Sequence, residues 1–190
     1  MGGVPPSDDE LLRRVAAGDR VGLEELFRRY RLVAYRVAYR LLGNEADALD
    51  AVQDGFVNAL RNLEKFRGQS TFKTWLLRVV SNASFDLGRK RRRQEACSGG
   101  QTVTADCPVP DDLPAADAEL ERADLRKQLN EALAELPEAQ RETFVLHADG
   151  GLTYREVADV LGISIGTVMS RVFYARQKLR ALLADRVGPS

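Results

Sequence analysis

Apolar positions along this chain recur at steps of three and four nearly from end to end and nowhere alternate, a pattern that predicts helices throughout. Ser7 with Glu10 has the form of a capping box, so a short helix is expected to run to Ala17, ahead of Gly18. Asp19 opens a long helix in which Leu23, Leu26, Phe27, Tyr30, Val33, Ala34, Val37 and Leu41 keep the helical period until Gly43. A third helix starts near Asn44 and Glu45, with Leu49, Val52, Phe56, Leu60 and Leu63 turned inward and Asp50, Gln53, Asp54, Asn58 and Arg61 outward. After a loop from Glu64 to Gln69, Gly68 permits a tight bend and Ser70 is expected to cap a fourth helix from Thr71 to about Arg93. In that helix Phe72, Trp75, Leu76, Val79 and Ala83 should face inward, and Lys73, Arg78, Asn82, Asp86 and Arg89 should form a polar, mostly basic flank. Trp75 could stack on a base, but its place in the apolar stripe favours core packing.

From Gln94 to about Ala116 the period disappears and Gly, Pro, Ser and Asp collect, as in a flexible linker. Helical pattern resumes at Asp117 with Leu120, Leu125, Leu129, Leu133 and Leu136, and Pro137 suits the first position of a helix carrying Phe144, Val145 and Leu146. Leu152 to Leu183 then reads as two helices meeting at a tight turn. Thr153 and Glu156 form a capping box, Leu152 and Val157 a hydrophobic staple, and Gly162 ends the first helix after Leu161. Ser164 opens the second, with Ile163 and Val168 as its staple. Its apolar stripe is Val168, Val172, Ala175, Leu179 and Leu182. Outside are Gly166, Ser170, Phe173 and Gln177, flanked by Met169 and Tyr174, with Arg171 and Arg176 nearer the buried edge. This fits a helix-turn-helix whose second helix lies in a DNA major groove, and it also fits a helical hairpin inside a larger bundle. The expected fold is all-α, two small helical bundles joined by a flexible linker, the C-terminal one containing the helix-turn-helix; the divisions fall at 1–93, 94–116 and 117–190.

Composition changes this picture in one respect. The chain has 190 residues, 44% of them hydrophobic, enough to bury a core, and its 28 basic and 28 acidic residues balance. The balance conceals a partition. Arg61, Lys65, Arg67, Lys73, Arg78 and the run Arg89, Lys90, Arg91, Arg92 and Arg93 form one basic block, opposed there only by Glu64 and Asp86. Arg171, Arg176, Lys178 and Arg180 form another, and Asp106, Asp111, Asp112, Asp117, Glu119, Glu121 and Asp124 lie between them. Two basic blocks separated by an acidic spacer suggest two contacts with one polyanion. Cys97, Cys107 and the single histidine, His147, show no zinc-ligand spacing, so no metal or other cofactor is expected. Reduced, idle thiols are favoured over a redox switch, and for His147 a packing role or a helix C-terminal charge over catalysis. No apolar run approaches a membrane span and the N-terminus lacks the form of a secretory signal, so a cytoplasmic location without membrane insertion is expected. No phosphate-cradling glycine loop or nucleophile–base pair supports an enzyme, and no catalytic residue is assigned.

Three ordered strings, ALDAVQDGFVNAL, KFRGQSTFKTWLLRVVSNASFDLGRKRR and LPEAQRETFVLHADGGLTYREVADVLGISIGTVMSRVFYARQKLR, resemble bacterial RNA polymerase sigma factors of the sigma-70 family. The likeness is to the extracytoplasmic-function (group IV) class, which keeps only regions 2 and 4. The resemblance implies a transcription initiation factor that binds core RNA polymerase, recognises promoter DNA and opens it, and that is not itself an enzyme. It implies docking of Asp50, Gln53, Asp54 and Asn58 on the clamp helices of the polymerase largest subunit. It assigns the -10 element to Lys65, Phe66, Arg67, Gly68, Gln69 and Ser70 of the loop with Asn82 and Asp86 of the next helix, where a base is turned out of the stack. Lys73, Arg89, Lys90 and Arg91 join Arg67 as candidate phosphate contacts. The -35 element falls to the second helix of the C-terminal pair, with Ser170, Arg171, Phe173 and Tyr174 at bases or backbone, Thr167 and Arg176 at phosphates, and Ser164 and Met169 on the same surface. Family members commonly carry Lys or Arg at the position of Met169 and often a basic residue at that of Tyr174; this chain departs at both, so a relative's -35 sequence does not transfer. The class also implies an inhibitory anti-sigma factor. A dimeric regulator with a ligand-sensing N-terminal bundle, or an adaptor that never meets DNA, would keep the helix-turn-helix but leave the EKFRGQ loop and the basic fourth helix unexplained.

Overall fold

The computed structural model describes residues 5–66, 68–98 and 116–187, with side chains given for 5–66, 68–94 and 124–184. Among the described residues the chain is all-helical, with eight α-helices, one 3-10 turn and no strand. The N-terminal module holds α1 (Asp8–Ala16), α2 (Arg20–Leu42), α3 (Glu45–Arg61), a 3-10 turn (Leu63–Lys65) and α4 (Phe72–Ser98). The C-terminal module holds α5 (Ala116–Ala134), α6 (Glu138–Ala148), α7 (Tyr154–Leu161) and α8 (Ile165–Val187).

Most helix ends stand where local chemistry puts them. The side chains of Ser7, Asp19 and Asn44 accept from the backbone N–H groups of Glu10, Val21 and Asp47, and Gly43 closes α2 at φ 79°. At the fourth helix the expectation needs correcting. Thr71, not Ser70, receives the capping bond, from Thr74 N–H to Thr71 Oγ1 at 3.1 Å, while the Ser70 hydroxyl lies 3.4 Å from the Thr71 carbonyl. The helix also continues past Arg93 to Ser98, so Gln94 to Ser98, including Cys97, are helical rather than linker. The remainder of the expected linker, with Cys107, lies outside the described residues except for Ala116, which opens α5.

The inward face of α3 also differs from the expectation. Its buried residues are Ala48, Ala51, Gly55 and Ala59, whereas Leu49 and Leu60 are exposed and Val52, Phe56 and Leu63 are half-buried. The cause is the closeness of α4. A Cβ on Gly55 would stand 2.8 Å from Val80 Cγ2 and 3.1 Å from Val80 Cα, closer than two helices carrying large side chains allow. Facing it, α4 buries Phe72, Leu76, Leu77 and Val80 together with Thr74, Ser81 and Ser84, while Trp75, Val79 and Ala83 are only half-buried. In α5 the same kind of correction applies: Ala132 and Leu133 are buried, and Leu125 is exposed.

The modules are packed against each other, with α2 against α5 and α6 and α4 against α7. Arg40 bonds to Asn130 Oδ1 and its Nε lies 3.6 Å from Asp149 Oδ1. The Thr74 hydroxyl donates to Glu156 Oε1 at 2.7 Å, Lys73 Nζ donates to the Gly151 carbonyl at 3.4 Å, and Arg92 pairs with Glu138 at 3.0 Å.

Candidate nucleic-acid interface

In the N-terminal module the candidate surface begins at the loop after α3. Phe66 folds back onto Trp75, with ring centroids 5.3 Å apart, and onto Phe72 at 6.0 Å; Phe72 meets Trp75 at 5.8 Å and Tyr30 at 5.8 Å. This cluster pins the loop to the first turn of α4, which gives Trp75 the packing role its stripe position indicates and makes Phe66 an anchor. Lys65 donates to Asn62 Oδ1 at 2.8 Å. Gly68, at φ 67°, and Gln69 are exposed, Ser70 is half-buried, and Arg67 lies outside the described residues.

Asn82 and Asp86 are exposed one turn apart on α4, on the same side as Trp75. At a rise of 1.5 Å per residue they stand about 10 and 16 Å along the axis from the pinned loop. Asp86 pairs with Arg89 at 2.6 Å, and because both are exposed that pair exchanges readily with another partner. Lys90 is exposed. Arg91, expected at a phosphate, instead reaches across to Asp47 at the start of α3, and Lys73 is half-buried against Gly151. On α3 Asp50, Gln53, Asp54 and Asn58 are all exposed, opposite the alanine face, interleaved with exposed Leu49, Val57 and Leu60.

The helix-turn-helix is built as its sequence predicts. Thr153 and Glu156 form both halves of the capping box, Leu152 and Val157 are buried, and Gly162 ends α7 at φ 66°. Burial raises the Glu156 carboxyl, but the Thr153 backbone N–H, the Thr74 and Thr153 hydroxyls and the Lys73 charge outweigh it and hold the group below its ordinary value. The same carboxylate thus caps α7 and ties it to α4. Ser164 Oγ accepts from Thr167 N–H at 3.1 Å and opens α8. Val168, Val172, Ala175 and Leu179 are buried; Met169, Ser170, Phe173 and Tyr174 are exposed; Thr167 and Arg171 are half-buried. Arg176, expected nearer the buried edge, is exposed.

Behind α8, burial first of all pushes the Glu142 carboxyl up to about 7, and Glu138 adds to this while Arg171 and Arg89 oppose it. Burial likewise raises Asp149 against the charges of Arg40 and Arg36. His147 sits in packing, its Nδ1 2.8 Å from the Leu152 carbonyl and its ring against Tyr154. Among the described residues no three His, Cys, Asp or Glu side chains cluster as metal ligands, and no single helix is long and apolar enough to cross a membrane. The bonds between the modules have no counterpart among the sequence expectations, because they join residues far apart along the chain, from Arg92–Glu138 to Arg40–Asp149, and leave no local signal.

A capped helix-turn-helix on one helical module, and a pinned loop beside an exposed polar helix edge on another, define a two-module DNA-binding protein. Residues 26–94 match Sigma-70 region 2 and residues 126–179 match Sigma-70, region 4. The chain belongs to the sigma-70 family of RNA polymerase sigma factors, in its extracytoplasmic-function (ECF) class, and is a transcription initiation factor that directs polymerase to promoters. It is 35% identical to the ECF RNA polymerase sigma factor SigE of Mycolicibacterium smegmatis over 95% of this chain and 71% of that one. It is 30% identical to the ECF RNA polymerase sigma factor SigW of Bacillus subtilis, over 92% and 95%. Among solved structures it is similar to CnrH in complex with the cytosolic domain of CnrY, with a TM-score of 0.69 at 31% identity, covering 93% of this chain and 96% of that one. It is also similar to the sigma factor RpoE of Bartonella quintana, solved with the anti-sigma factor NepR, with a TM-score of 0.67 at 28% identity, covering 84% and 97%.

Proposed function

We propose that this sigma factor divides promoter reading between its modules. The outer face of α3, Asp50, Gln53, Asp54 and Asn58, docks on the clamp helices of core polymerase, and Leu49, Val57 and Leu60 supply apolar contact between them. The loop of Lys65 to Ser70 and the α4 edge of Asn82 and Asp86 receive a -10 base turned out of the stack, with the exposed Arg89 and Lys90 at nearby phosphates. The N-terminal half of α8, from Ser164 to Arg176, enters the major groove at the -35 element. Modules 1–93 and 117–190 act as separate readers on the connecting stretch. The protein works in the cytoplasm, performs no catalysis of its own, and is held in reserve by an anti-sigma factor, a partner of the kind seen with its structural relatives.

The observation that carries this reading is the aromatic-pinned loop lying at the foot of an exposed Asn82–Asp86 edge. Extruding a base costs a few kcal/mol, and polar edges held beside a fixed loop offset that cost only in the opened state. Run-off transcription with purified core polymerase and the full chain on a promoter library tests the role. Asn82→Ala is expected to leave duplex binding intact while reducing permanganate reactivity of -10 thymines. Reactivity equal to wild type would reject the assignment.

A further inference from the structure

The reading face of α8 carries unusual chemistry. Ile165, Met169 and Phe173 stand one turn apart in a row, 46%, 55% and 63% exposed. They do not belong to the helix's buried stripe. In the first ten residues of α8 the exposed positions are Ile165, Gly166, Met169, Ser170, Phe173 and Tyr174, none with a charge or an amide. The Ser170 hydroxyl donates to the Thr167 carbonyl at 3.0 Å, and Tyr174 lines a shallow groove with Pro137 and Gln140. Arg and Lys read guanine and Asn and Gln read adenine through paired hydrogen bonds, and no such donor is exposed on this end of the helix: its one arginine, Arg171, is half-buried, with its charge acting on Glu142 behind the helix. Two further features suit duplex DNA. A Cβ on Gly166 would meet only Ser164 Oγ at 3.8 Å, so internal packing does not require glycine there, although glycine weakens a helix; it leaves the backbone beside the row open to close approach. Arg176 and Arg180 are exposed one to two turns further along the same flank, an arrangement that fits a polyanion.

We propose that Ile165, Met169 and Phe173 read thymine methyl groups, so that the -35 preference of this sigma factor is set by apolar contact with A·T pairs rather than by hydrogen bonds to guanine. The C5-methyl of thymine is the apolar group that the base edges present in the major groove. The inference rests on the assignment of α8 to the -35 element made above.

Holoenzyme assembled from the full chain and core polymerase selects from a promoter library randomised over the -35 element. Each selected thymine is then replaced by deoxyuridine, which removes only the methyl. The expected outcome is an A·T-rich element in which each contacted thymine loses about four-fold in affinity on replacement, equivalent to the ~0.8 kcal/mol of one methyl-sized group. Met169→Ala and Phe173→Ala abolish that sensitivity and leave the salt dependence unchanged, because no phosphate contact is lost. Thermal melts confirm that these exposed substitutions keep the fold. Selection of a G·C element, deoxyuridine without effect at every thymine, or alanine variants that select like wild type would each overturn the proposal; the last is the result expected if the row docks a partner helix. A holoenzyme that transcribes from its -10 element but selects no -35 sequence overturns the role of α8 itself, and the proposal with it.

Discussion

Thr74→Val separates the bond between the modules from everything else that Glu156 does. The Thr74 hydroxyl, buried in α4, donates to Glu156 Oε1 at 2.7 Å, while Thr153 N–H and its hydroxyl hold Oε2 at 2.9 and 2.8 Å. Valine keeps the side chain's volume and removes the donor, so α7 stays capped. The Thr71–Thr74 hydroxyl contact is lost as well, but the α4 cap, made by Thr74 N–H, remains. A hydrogen bond to a charged group contributes about 1.5–3 kcal/mol. Glu156 is half-buried, so water recovers part of this for the freed Oε1 and the net cost to the closed arrangement is about 1–2 kcal/mol. That is roughly ten-fold in the closed-to-open equilibrium. Dipolar EPR between spin labels on exposed Arg61 and Gln177, with Cys97 and Cys107 replaced by serine, measures it directly. The expected result is a wild-type distribution dominated by one distance and a variant whose distribution broadens. Superimposable distributions, with circular dichroism showing α7 intact, would refute the claim that this bond holds the modules together.

Two further predictions concern the core. Gly55→Ala gains about 1 kcal/mol of helix propensity but forces a Cβ against Val80 at a cost of about 1–3 kcal/mol. Thermal melts should show a net loss, and Val80→Ala in the same chain should show coupling of the two sites by recovering part of it. Glu142 keeps its proton in the folded state up to about pH 7, against an ordinary value of 4.5, so the folded state binds more protons across that window. Stability therefore falls as pH rises from about 4.5 to about 7, and the loss is complete above it. Glu142→Gln should match wild type at the acid end and exceed it above pH 7 by about 1–2 kcal/mol, allowing for partial exposure, with denaturant melts against pH as the readout.

Helix ends were the most legible feature of the chain because a cap is made by residues two to five positions apart. Asp19, Asn44, Thr153, Ser164 and Gly162 act where they were expected to act, and the buried stripe of α8 follows its 3.6-residue period. The one-residue slip at Ser70 has a local cause: two hydroxyls stand side by side, and it is Thr71, immediately before Phe72, whose carbonyl accepts the first helical bond from Trp75 and whose hydroxyl accepts from Thr74 N–H. The bonds between the modules could not be read at all. Glu156 announces itself as a capping residue, and nothing near it signals that its second oxygen faces Thr74. Arg91 and Lys73 look like free cations in a basic block, yet each is turned toward a partner that only the fold supplies.

The α3 error is the most informative for function. Ranking positions by side-chain size placed Leu49 and Leu60 inside, but the approach of α3 to α4 is governed by the smallest residues, Ala48, Ala51, Gly55 and Ala59. Turning the alanine face inward necessarily turns leucines outward, since the two sets lie on different sides of one helix. Leu49, Val57 and Leu60 therefore stand in water among Asp50, Gln53, Asp54 and Asn58. Exposed leucines scattered singly are ordinary, but these share one face with a run of carboxylates and amides, and such a mixture of apolar centre and polar surround is what a specific protein interface requires. The polar face that the family resemblance assigns to polymerase docking thus carries apolar side chains that the periodicity had placed inside the bundle. Under the proposed docking on polymerase, Leu49→Ala and Leu60→Ala should weaken holoenzyme assembly in a binding titration as much as Asp50→Ala and Asp54→Ala do, and unchanged affinity would remove the leucines from the interface.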